Sequence, residues 1–464
     1  MFLKRIESKG LAHYSYIIGD GGEAIVIDPR RDFDVYIEET AQQGLHITHV
    51  LETHRNEDYL IGSVGLAAST GAKIWHADAQ LEYHYGQPAQ DEQTWKVGQL
   101  KLQAIHSPGH TPGSMSYLLY DPDGVPWMVF TGDALFAGDV GRMDLLGMSR
   151  AEEMASLLYD TLFNKLLPLG DGVIVCPAHG AGSVCATAIA NRILTTIGLE
   201  RRYNPKLQHR NKDEFIYNVA RELERPPYFT RMEKLNLEGA PLLDGLPILA
   251  PLTPIMFASK AQDAIVLDTR MELSFGAAHV PNALSIWLNG LPSFAGWFIP
   301  YDQPILLVNE TDNPVEAARF LLRLGYDELA GYLAGEMLAW HTAGQESSSI
   351  KMVTAQEFCR ELDEHKQVWI LDVRSDEELE KMGQIPGAQH IPITQLLHHW
   401  NEVPKGRTIY IFCGSGLRSM IAASMLKRQG WKDLVVVLGG LAGWNSIARP
   451  IKDDNSVTNP NVTF

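Results

Sequence analysis

The sequence predicts an α/β protein built from three domains. Its 464 residues are roughly three times a common domain length of about 150 residues. Short β-rich runs alternate with helical patterns over the first 190 residues, as is typical of mixed α/β domains. Farther along, Asp268 and Asp372 lie 104 positions apart, as do Arg270 and Arg374. A repeat of about 100 residues is too long for a solenoid unit, so it predicts two similar α/β domains.

The composition supports several folded cores and excludes two classes of partner. Hydrophobic residues make up 45% of the chain and charged residues 20%, which is far from a disordered composition. Lys and Arg number 39 against 56 Asp and Glu, giving a formal net charge of −17. A surface of that sign repels phosphate backbones and anionic lipid heads. We therefore expect neither nucleic acid nor a membrane as a partner.

The cysteines and the first residues favour a cytoplasmic location. Cys176, Cys185, Cys359 and Cys413 are too few and too scattered for a disulfide framework. The first nine residues carry charges on both sides of their apolar residues, so they cannot form the apolar stretch of a secretory signal. We expect a reducing compartment.

The domain boundaries follow from the repeat and from a change in pattern before it. Residues 1–250 form the first domain, which ends in a helical extension that includes a predicted helix over residues 213–223. Residues 251–348 and 349–464 form the two repeated domains. The polar segment 453–464 is expected to be loose.

Four apolar runs in the first domain each lead into a polar cluster that carries histidine or aspartate. The runs cover residues 47–51, 100–105, 125–130 and 173–175, and they lead to His54 with Asp58, His110, Asp133 and His179. Side chains delivered at the carboxyl ends of strands into loops indicate a built site. Imidazole together with carboxylate suits zinc or iron, and two histidines with one carboxylate form the facial triad of non-haem ferrous oxygenases.

This region resembles the metallo-β-lactamase fold, an αββα sandwich. The matching motifs are Thr53-His54-x-x-x-Asp58, Ser107-Pro-Gly-His110, Thr131-Gly-Asp133 and Pro177-Ala-His179. The usual first motif is T-H-x-H-x-D-H, whereas Asn56 and Tyr59 stand here in place of two histidines. A two-zinc hydrolase site of the glyoxalase II kind would lose one ligand from each metal. The resemblance therefore implies that a binuclear site does not assemble well.

The same region is similar to the persulfide dioxygenases, a branch of that superfamily with a single iron. The resemblance implies that His54, His110 and Asp133 hold one Fe(II), with zinc as the alternative ion. Gly141-Arg142-x-Asp144 looks like the G-R-x-D motif of that branch, which implies that Arg142 lies near the metal and binds substrate.

Two other interpretations of the metal site stay open. A competing triad could consist of Asp58, Asp133 and His179. Asn56 with Tyr59 could instead mark a decayed scaffold that binds no metal.

A cysteine loop follows the apolar run of residues 409–412. It reads Cys413-Gly-Ser-Gly-Leu-Arg418-Ser419 and leads into a helical pattern. Successive backbone N–H groups that close on a helix N-terminus stabilise an anion. We therefore expect Cys413 to be a reactive thiolate.

The loop resembles that of the rhodanese sulfurtransferases, since four residues separate its Cys and Arg where tyrosine phosphatases have five. Asp372-x-Arg374 and Gly439-Gly-x-x-x-Trp444 match flanking features of that family. The resemblance implies that Cys413 and Arg418 are catalytic. It implies substrate contacts from Gly414, Ser415, Gly416 and Ser419.

The first copy of the repeat lacks the nucleophile. Asn309 lies 104 positions before Cys413, so the middle domain reads as an inactive rhodanese copy with a structural role, and sulfur docking is the alternative.

The resemblance as a whole implies a bacterial persulfide dioxygenase fused to a sulfurtransferase. Its substrates would be a low-molecular-weight persulfide, O2 and sulfite, its product thiosulfate, and its assembly a homo-oligomer. A mononuclear zinc thioester hydrolase and a metal-free scaffold with rhodanese activity alone are the alternatives.

Overall fold

The computed structural model describes residues 1–243, 245–364 and 368–447. These residues divide into two compact units. Unit 1 comprises Met1–Pro247 and Arg319–Asp327, and unit 2 comprises Ile248–Ala318 and the described residues after Asp327. The segment 453–464, expected to be loose, lies outside the described residues. No helix in the described ranges is long and apolar enough to cross a membrane.

Unit 1 begins with a sheet of six strands in sequential order. The strands are β1 (Phe2–Ser8), β2 (His13–Asp20), β3 (Glu23–Ile27), β4 (His46–Leu51), β5 (Lys73–His76) and β6 (Gln87–Pro88). The first three are antiparallel neighbours, and from β3 onward the strands run parallel. The strand β1 is not among the elements that the sequence predicts.

A second six-stranded sheet follows in the order β12-β11-β10-β9-β8-β7. Its strands are β7 (Thr94–Val97), β8 (Leu100–His106), β9 (Met115–Tyr120), β10 (Pro126–Gly132), β11 (Ile174–Pro177) and β12 (Thr195–Thr196). Alternate residues of both sheets point into one shared core, which holds Ile18 and Ile25 of the first sheet beside Leu119 and Phe130 of the second. This is the period-two pattern of strands whose two faces differ.

The outward faces of the two sheets are covered by helices. The helices of unit 1 are α1 (Asp34–Gln42), α2 (Ser63–Thr70), α3 (Met148–Asp160), α4 (Ile197–Tyr203), α5 (Lys212–Val219) and α6 (Phe229–Glu238). Tyr36 of α1 and Leu66 of α2 pack on the first sheet, whereas Leu158 of α3 and Phe215 of α5 pack on the second. The predicted αββα sandwich is confirmed.

The predicted helix over residues 213–223 is too long, since α5 ends at Val219. The backbone of Leu223 is instead held by a side-chain pair elsewhere in the unit. Its N–H donates to Asp144 Oδ2 at 2.8 Å, and its carbonyl accepts from Arg142 at 2.9 Å. These two bonds hold the backbone outside the helix.

The segment Arg319–Asp327 is joined to unit 1 by buried charges. Arg323 donates to both oxygens of Asp32 at 2.8 Å, and its carbonyl accepts from the N–H of Leu60 at 2.8 Å. Leu60 directly follows the Asp58-Tyr59 pair of the first motif.

Unit 2 contains two parallel sheets with the same strand order. The first, β13-β17-β16-β14-β15, consists of β13 (Pro251–Leu252), β14 (Ile265–Asp268), β15 (Leu284–Ser285), β16 (Ile305–Val308) and β17 (Leu329–Leu333). The second, β18-β22-β21-β19-β20, consists of β18 (Lys351–Thr354), β19 (Trp369–Asp372), β20 (Ala388–His390), β21 (Ile409–Phe412) and β22 (Leu434–Leu438). The repeat predicted from the 104-residue offset is confirmed.

The helices of unit 2 also come in two sets. The first copy contains α7 (Pro254–Lys260), α8 (Glu272–Ala277), α9 (Leu291–Phe298), α10 (Val315–Arg323, whose last five residues belong to unit 1) and α11 (Glu336–Thr342). The second copy contains α12 (Ala355–Asp363), α13 (Asp376–Met382), α14 (Leu396–His399), α15 (Leu417–Arg428) and α16 (Gly440–Ser446).

Both copies of the repeat bury the same ion pair at the end of a central strand. Arg270 binds Asp268 through Nε at 2.9 Å and Nη2 at 2.7 Å, and Arg374 binds Asp372 at 3.0 and 2.6 Å. Each arginine also donates to a backbone carbonyl, that of Ala278 or Gly383. The Asp-x-Arg motif thus serves the fold of both domains, including the one that lacks a cysteine.

Candidate functional site

Four strands of unit 1 end where the sequence predicts them to deliver side chains. His54 follows β4, His110 follows β8, Asp133 follows β10 and His179 follows β11. All four side chains are buried.

His54, His110 and Asp133 face one another. The Oδ2 atom of Asp133 lies 3.5 Å from His110 Nε2 and 3.8 Å from His54 Nε2. These three atoms are buried and have no hydrogen-bond partner among the described residues. An unpaired buried polar atom is costly, and three that converge fit the donor set of a divalent metal.

Hydrogen bonds at Nδ1 fix the orientation of the imidazole rings of His54 and His110. His110 Nδ1 lies 2.9 Å from the carbonyl of Arg142, so it donates there. His54 Nδ1 lies 2.9 Å from the hydroxyl of Thr53, which itself donates to Asp28 at 2.7 Å. With Nδ1 protonated on both rings, both Nε2 lone pairs are directed into the site.

His179 lies between the two carboxylates of the competing triad. Its Nδ1 lies 2.8 Å from Asp133 Oδ1, and its Nε2 lies 3.0 Å from Asp58 Oδ2. Burial lowers the pKa of His179, but the charges of Asp133 and Asp58 outweigh burial and raise that pKa well above its ordinary value. Only Nδ1 forms a hydrogen bond, because Nε2 and both oxygens of Asp58 have no hydrogen-bond partner among the described residues. Asp58, His179 and Cys185 therefore form a second group of buried donor atoms that could hold a metal ion.

The charge of Asp133 is favoured by the same neighbours. Burial raises its pKa, whereas the nearby histidines His179, His54 and His110 lower it, with a net result below the ordinary value. Asp133 is therefore an ionised donor.

The two residues that depart from the usual motif have local structural roles. Asn56 Nδ2 donates to the carbonyl of His54 at 3.3 Å. The ring of Tyr59 lies against His13, with centroids 4.0 Å apart, and is fully buried. Neither contributes a metal-binding nitrogen.

Glu57 is a site residue that the sequence analysis missed. Its Oε2 lies 3.7 Å from His110 Nε2, and donor atoms of His54, Glu57 and His110 all lie within 4.8 Å of one another. Cys185 likewise groups with His110 and Asp133. The available signal was an acidic residue three positions after the first histidine.

Arg142 lies beside the site with its guanidinium fully engaged. It binds both oxygens of Asp144 at 2.7 Å and donates to the carbonyls of Val184, Leu223 and Glu224. Its own carbonyl positions His110. The structure assigns it a positioning role, and direct substrate binding stays a prediction.

Unit 2 carries the cysteine loop between β21 and α15. Cys413 is fully buried, and the backbone N–H of Gly416 donates to its sulfur at 3.0 Å. Gly414 is half-buried, Ser415 is exposed and Ser419 is buried. The sulfur thus lies at the start of α15, in contact with a backbone donor.

A close backbone contact explains a glycine in the flanking motif. A Cβ at Gly440 would lie 2.1 Å from the carbonyl oxygen of Cys413, and the residue has a φ of +46°. The N–H of Leu441 donates to that same carbonyl at 2.8 Å. Gly440 thus lets the start of α16 reach the cysteine loop.

Arg418 of the cysteine loop forms an ion pair with an acidic residue. It donates to the two oxygens of Glu378 at 2.5 and 2.6 Å. Burial raises the pKa of Glu378, but its bonds to Arg418 and to the backbone of Ser375 bring the pKa to about 2. Both groups are therefore charged near neutral pH.

The corresponding loop of the first copy has different chemistry. Asn309 follows β16 and accepts a hydrogen bond from Thr269 Oγ1 at 2.9 Å. Glu310, the next residue, accepts from Ser274 Oγ at 2.8 Å. An amide followed by a carboxylate supplies no thiol for sulfur transfer.

Known proteins match the chain in two parts. The metallo-beta-lactamase superfamily model matches residues 9–179, and the rhodanese-like domain model matches residues 256–343 and 354–447. A hydroxyacylglutathione hydrolase of Albidiferax ferrireducens is 32% identical over 223 residues, which are 43% of this chain and 83% of that protein. A mitochondrial persulfide dioxygenase of Bos taurus is 29% identical over 210 residues, 42% of this chain and 71% of the relative.

A solved structure spans more of the chain. The crystal structure of a metallo-beta-lactamase from Staphylococcus aureus superposes with a TM-score of 0.65 and 31% identity, covering 72% of this chain and 98% of that one. Together with the two sandwiched sheets and the duplicated parallel sheets, these matches establish the family. The chain belongs to the metallo-beta-lactamase superfamily and carries two rhodanese-like domains after its metallo-beta-lactamase domain.

Proposed function

We propose that the chain is a persulfide dioxygenase joined to a sulfurtransferase that forms thiosulfate. The observation that carries the first half is the set of three buried, unpaired donor atoms on His54, His110 and Asp133. The remaining residues of the competing triad, Asp58 and His179, lie 3.0 Å apart as an ion pair. Asn56 and Tyr59 stand where a two-metal site has histidines, which favours one metal ion over two.

Iron is the ion that this donor set suits for oxygen chemistry. Two imidazoles and one carboxylate with open positions are typical of non-haem Fe(II) oxygenases. When bound, Fe(II) would supply the one-electron chemistry that allows O2 to react with the persulfide sulfur. The overall reaction is RSSH + O2 + H2O → RSH + SO3²⁻ + 2H⁺.

The surrounding residues prepare this site. Thr53 and the carbonyl of Arg142 hold the protons of the two imidazoles at Nδ1. His179 holds Asp133 Oδ1 at 2.8 Å, which leaves Oδ2 as the donor. Burial of all these side chains excludes bulk water and limits side reactions.

The second half of the proposal rests on Cys413 in its loop. Its thiolate attacks the outer sulfur of a second persulfide, so that Cys–S⁻ and RSSH become Cys–S–S⁻ and RSH. Sulfite then attacks the outer sulfur, forms S2O3²⁻ and restores Cys–S⁻. The N–H of Gly416 stabilises the anionic sulfur in both states.

Product analysis tests the proposal. Iron-loaded whole chain given glutathione persulfide should consume one O2 per thiosulfate formed, and the iron-loaded Cys413→Ser variant should consume one O2 per sulfite formed. Loss of persulfide without O2 uptake would contradict the dioxygenase.

A thioester hydrolase with one zinc ion is the second candidate. It is favoured by the 32% identity to a protein named hydroxyacylglutathione hydrolase. Turnover of a glutathione thioester without O2 by the zinc-loaded chain would support it, and its absence would leave the dioxygenase.

A further inference from the structure

We infer that Glu57 is a fourth protein donor to the metal held by His54, His110 and Asp133, an inference that rests on the proposed function. Glu57 is fully buried, and its Oε2 has no hydrogen-bond partner among the described residues. That oxygen lies 3.7 Å from His110 Nε2. It is therefore an unpaired donor atom beside the two histidines, and donor atoms of His54, Glu57 and His110 all lie within 4.8 Å of one another.

A neighbouring arginine fixes the direction of this carboxylate. Arg55 donates to Glu57 Oε1 at 3.2 Å and to Glu233 Oε1 at 3.0 Å. A carboxylate that only balanced the charge of Arg55 would have no need to keep its second oxygen buried and unpaired. Because Oε1 is held by Arg55, Oε2 is left facing His110, as expected of a ligand that is held by a second residue.

The distances suit coordination after a small contraction. His110 Nε2 lies 3.5 Å from Asp133 Oδ2 and 3.7 Å from Glu57 Oε2. Adjacent ligands on a metal with bonds of about 2.1 Å lie roughly 3 Å apart. Each carboxylate oxygen therefore lies less than about 1 Å beyond the ligand–ligand distance from His110 Nε2.

A fourth donor changes which ion can work at this site. Two carboxylates balance the charge of a divalent ion, and they favour a metal that accepts oxygen ligands. A tetrahedral zinc ion with four protein donors is closed to substrate. Iron, which accepts more ligands than a tetrahedral zinc ion, would still have room for O2 and persulfide beside these four donors. The inference thus favours the dioxygenase over the zinc hydrolase.

Cobalt binding tests this role without using catalysis. Metal-free whole chain is titrated with Co(II) against a competing chelator, and the visible absorption of the bound ion is recorded. Glu57→Gln keeps the size of the side chain but removes its charge, and should weaken Co(II) binding roughly 10- to 100-fold and alter the spectrum. The Co(II) affinity of Glu57→Asp, whose side chain is one methylene shorter, should lie between those of the wild type and Glu57→Gln.

A matched control separates coordination from charge balance at Arg55. Glu233→Gln removes the other carboxylate on Arg55 and should leave Co(II) affinity and spectrum unchanged. Wild-type affinity and spectrum in folded Glu57→Gln would overturn the inference. If His110→Ala also keeps wild-type affinity, the ligand set of the proposed function is wrong. If His110→Ala loses Co(II) while Glu57→Gln keeps it, only the role of Glu57 is wrong.

Discussion

His179 Nδ1 lies 2.8 Å from Asp133 Oδ1, so one oxygen of this carboxylate is held while the other faces His54 and His110. The same imidazole reaches Asp58 on its other side at 3.0 Å. A residue that in a two-metal site would be a ligand acts here as a support for the single ion that we propose.

This support should be measurable in metal affinity. His179→Ala removes the donor to Asp133 and should weaken metal binding roughly 10- to 100-fold. His179→Asn places an amide N–H near the former Nδ1 and should recover much of the loss. Isothermal titration of the metal-free variants with Fe(II) under argon checks both. Equal losses in the two variants would show that the bond to Asp133 is not what matters.

Replacing Cys413 should separate the two activities. Cys413→Ser removes the sulfur that Gly416 N–H contacts, so thiosulfate production should be lost while O2 uptake with persulfide continues and sulfite accumulates. An oxygen electrode with chromatography of the products measures both. Cys359→Ala, a buried thiol of the same domain outside the loop, should retain thiosulfate production. Loss of O2 uptake in Cys413→Ser would argue against separable sites.

Gly440 should be needed for the shape of the cysteine loop. In Gly440→Ala the added Cβ would lie 2.1 Å from the carbonyl oxygen of Cys413, so the loop must shift and sulfur transfer should fall at least about 10-fold, the effect of about 1.4 kcal/mol. Gly430→Ala is the matched control, because Gly430 has a φ of +92° with nothing within 4 Å of the added Cβ. It should lose about 1 to 2 kcal/mol of stability, the cost of a Cβ at positive φ, but keep its activity. Equal activity in the two variants would refute the contact's importance.

His279 should make the stability of unit 2 depend on pH. Burial, together with the charges of Lys427 and Arg270, lowers its pKa to about 4. The hydrogen bond to the carbonyl of Phe275 opposes this shift. As the pH falls from about 6.5 to about 4, the unfolded chain takes up a proton that the folded chain does not, so stability falls by up to about 1.4 kcal/mol per pH unit.

A comparison of two variants by thermal unfolding checks this origin. His279→Gln should lose less stability than the wild type between pH 7.5 and pH 5, since it has no proton to take up. His209→Gln, a half-buried control that pairs with Glu214, should behave like the wild type. A wild-type pH dependence in His279→Gln would exclude this histidine as the cause.

The sequence predicts the architecture well because the architecture follows from hydrophobic periodicity and from the spacing of repeated motifs. The strand ends that present His54, His110 and Asp133 follow apolar runs, and the 104-residue offset reflects a fold that occurs twice. The extent of α5 was not predictable, because the chain after Val219 is captured by Arg142 and Asp144, which are distant in sequence.

The finer features of the site depend on contacts that a motif does not contain. The G-R-x-D motif indicated that Arg142 lies near the metal, but not that Asp144 and three carbonyls occupy its donors. Glu57 was missed because the family motif has no defined residue at that position. Only the fold shows that Arg55 holds one of its oxygens and leaves the other facing His110.

Metal content measured together with O2 uptake tests the central claim most directly. Whole chain prepared anaerobically with ample Fe(II) should contain one iron per chain and consume O2 when persulfide is added. His110→Ala should contain none and consume none. Two metal ions per wild-type chain, or unchanged iron content in His110→Ala, would contradict a single iron held by His54, His110 and Asp133.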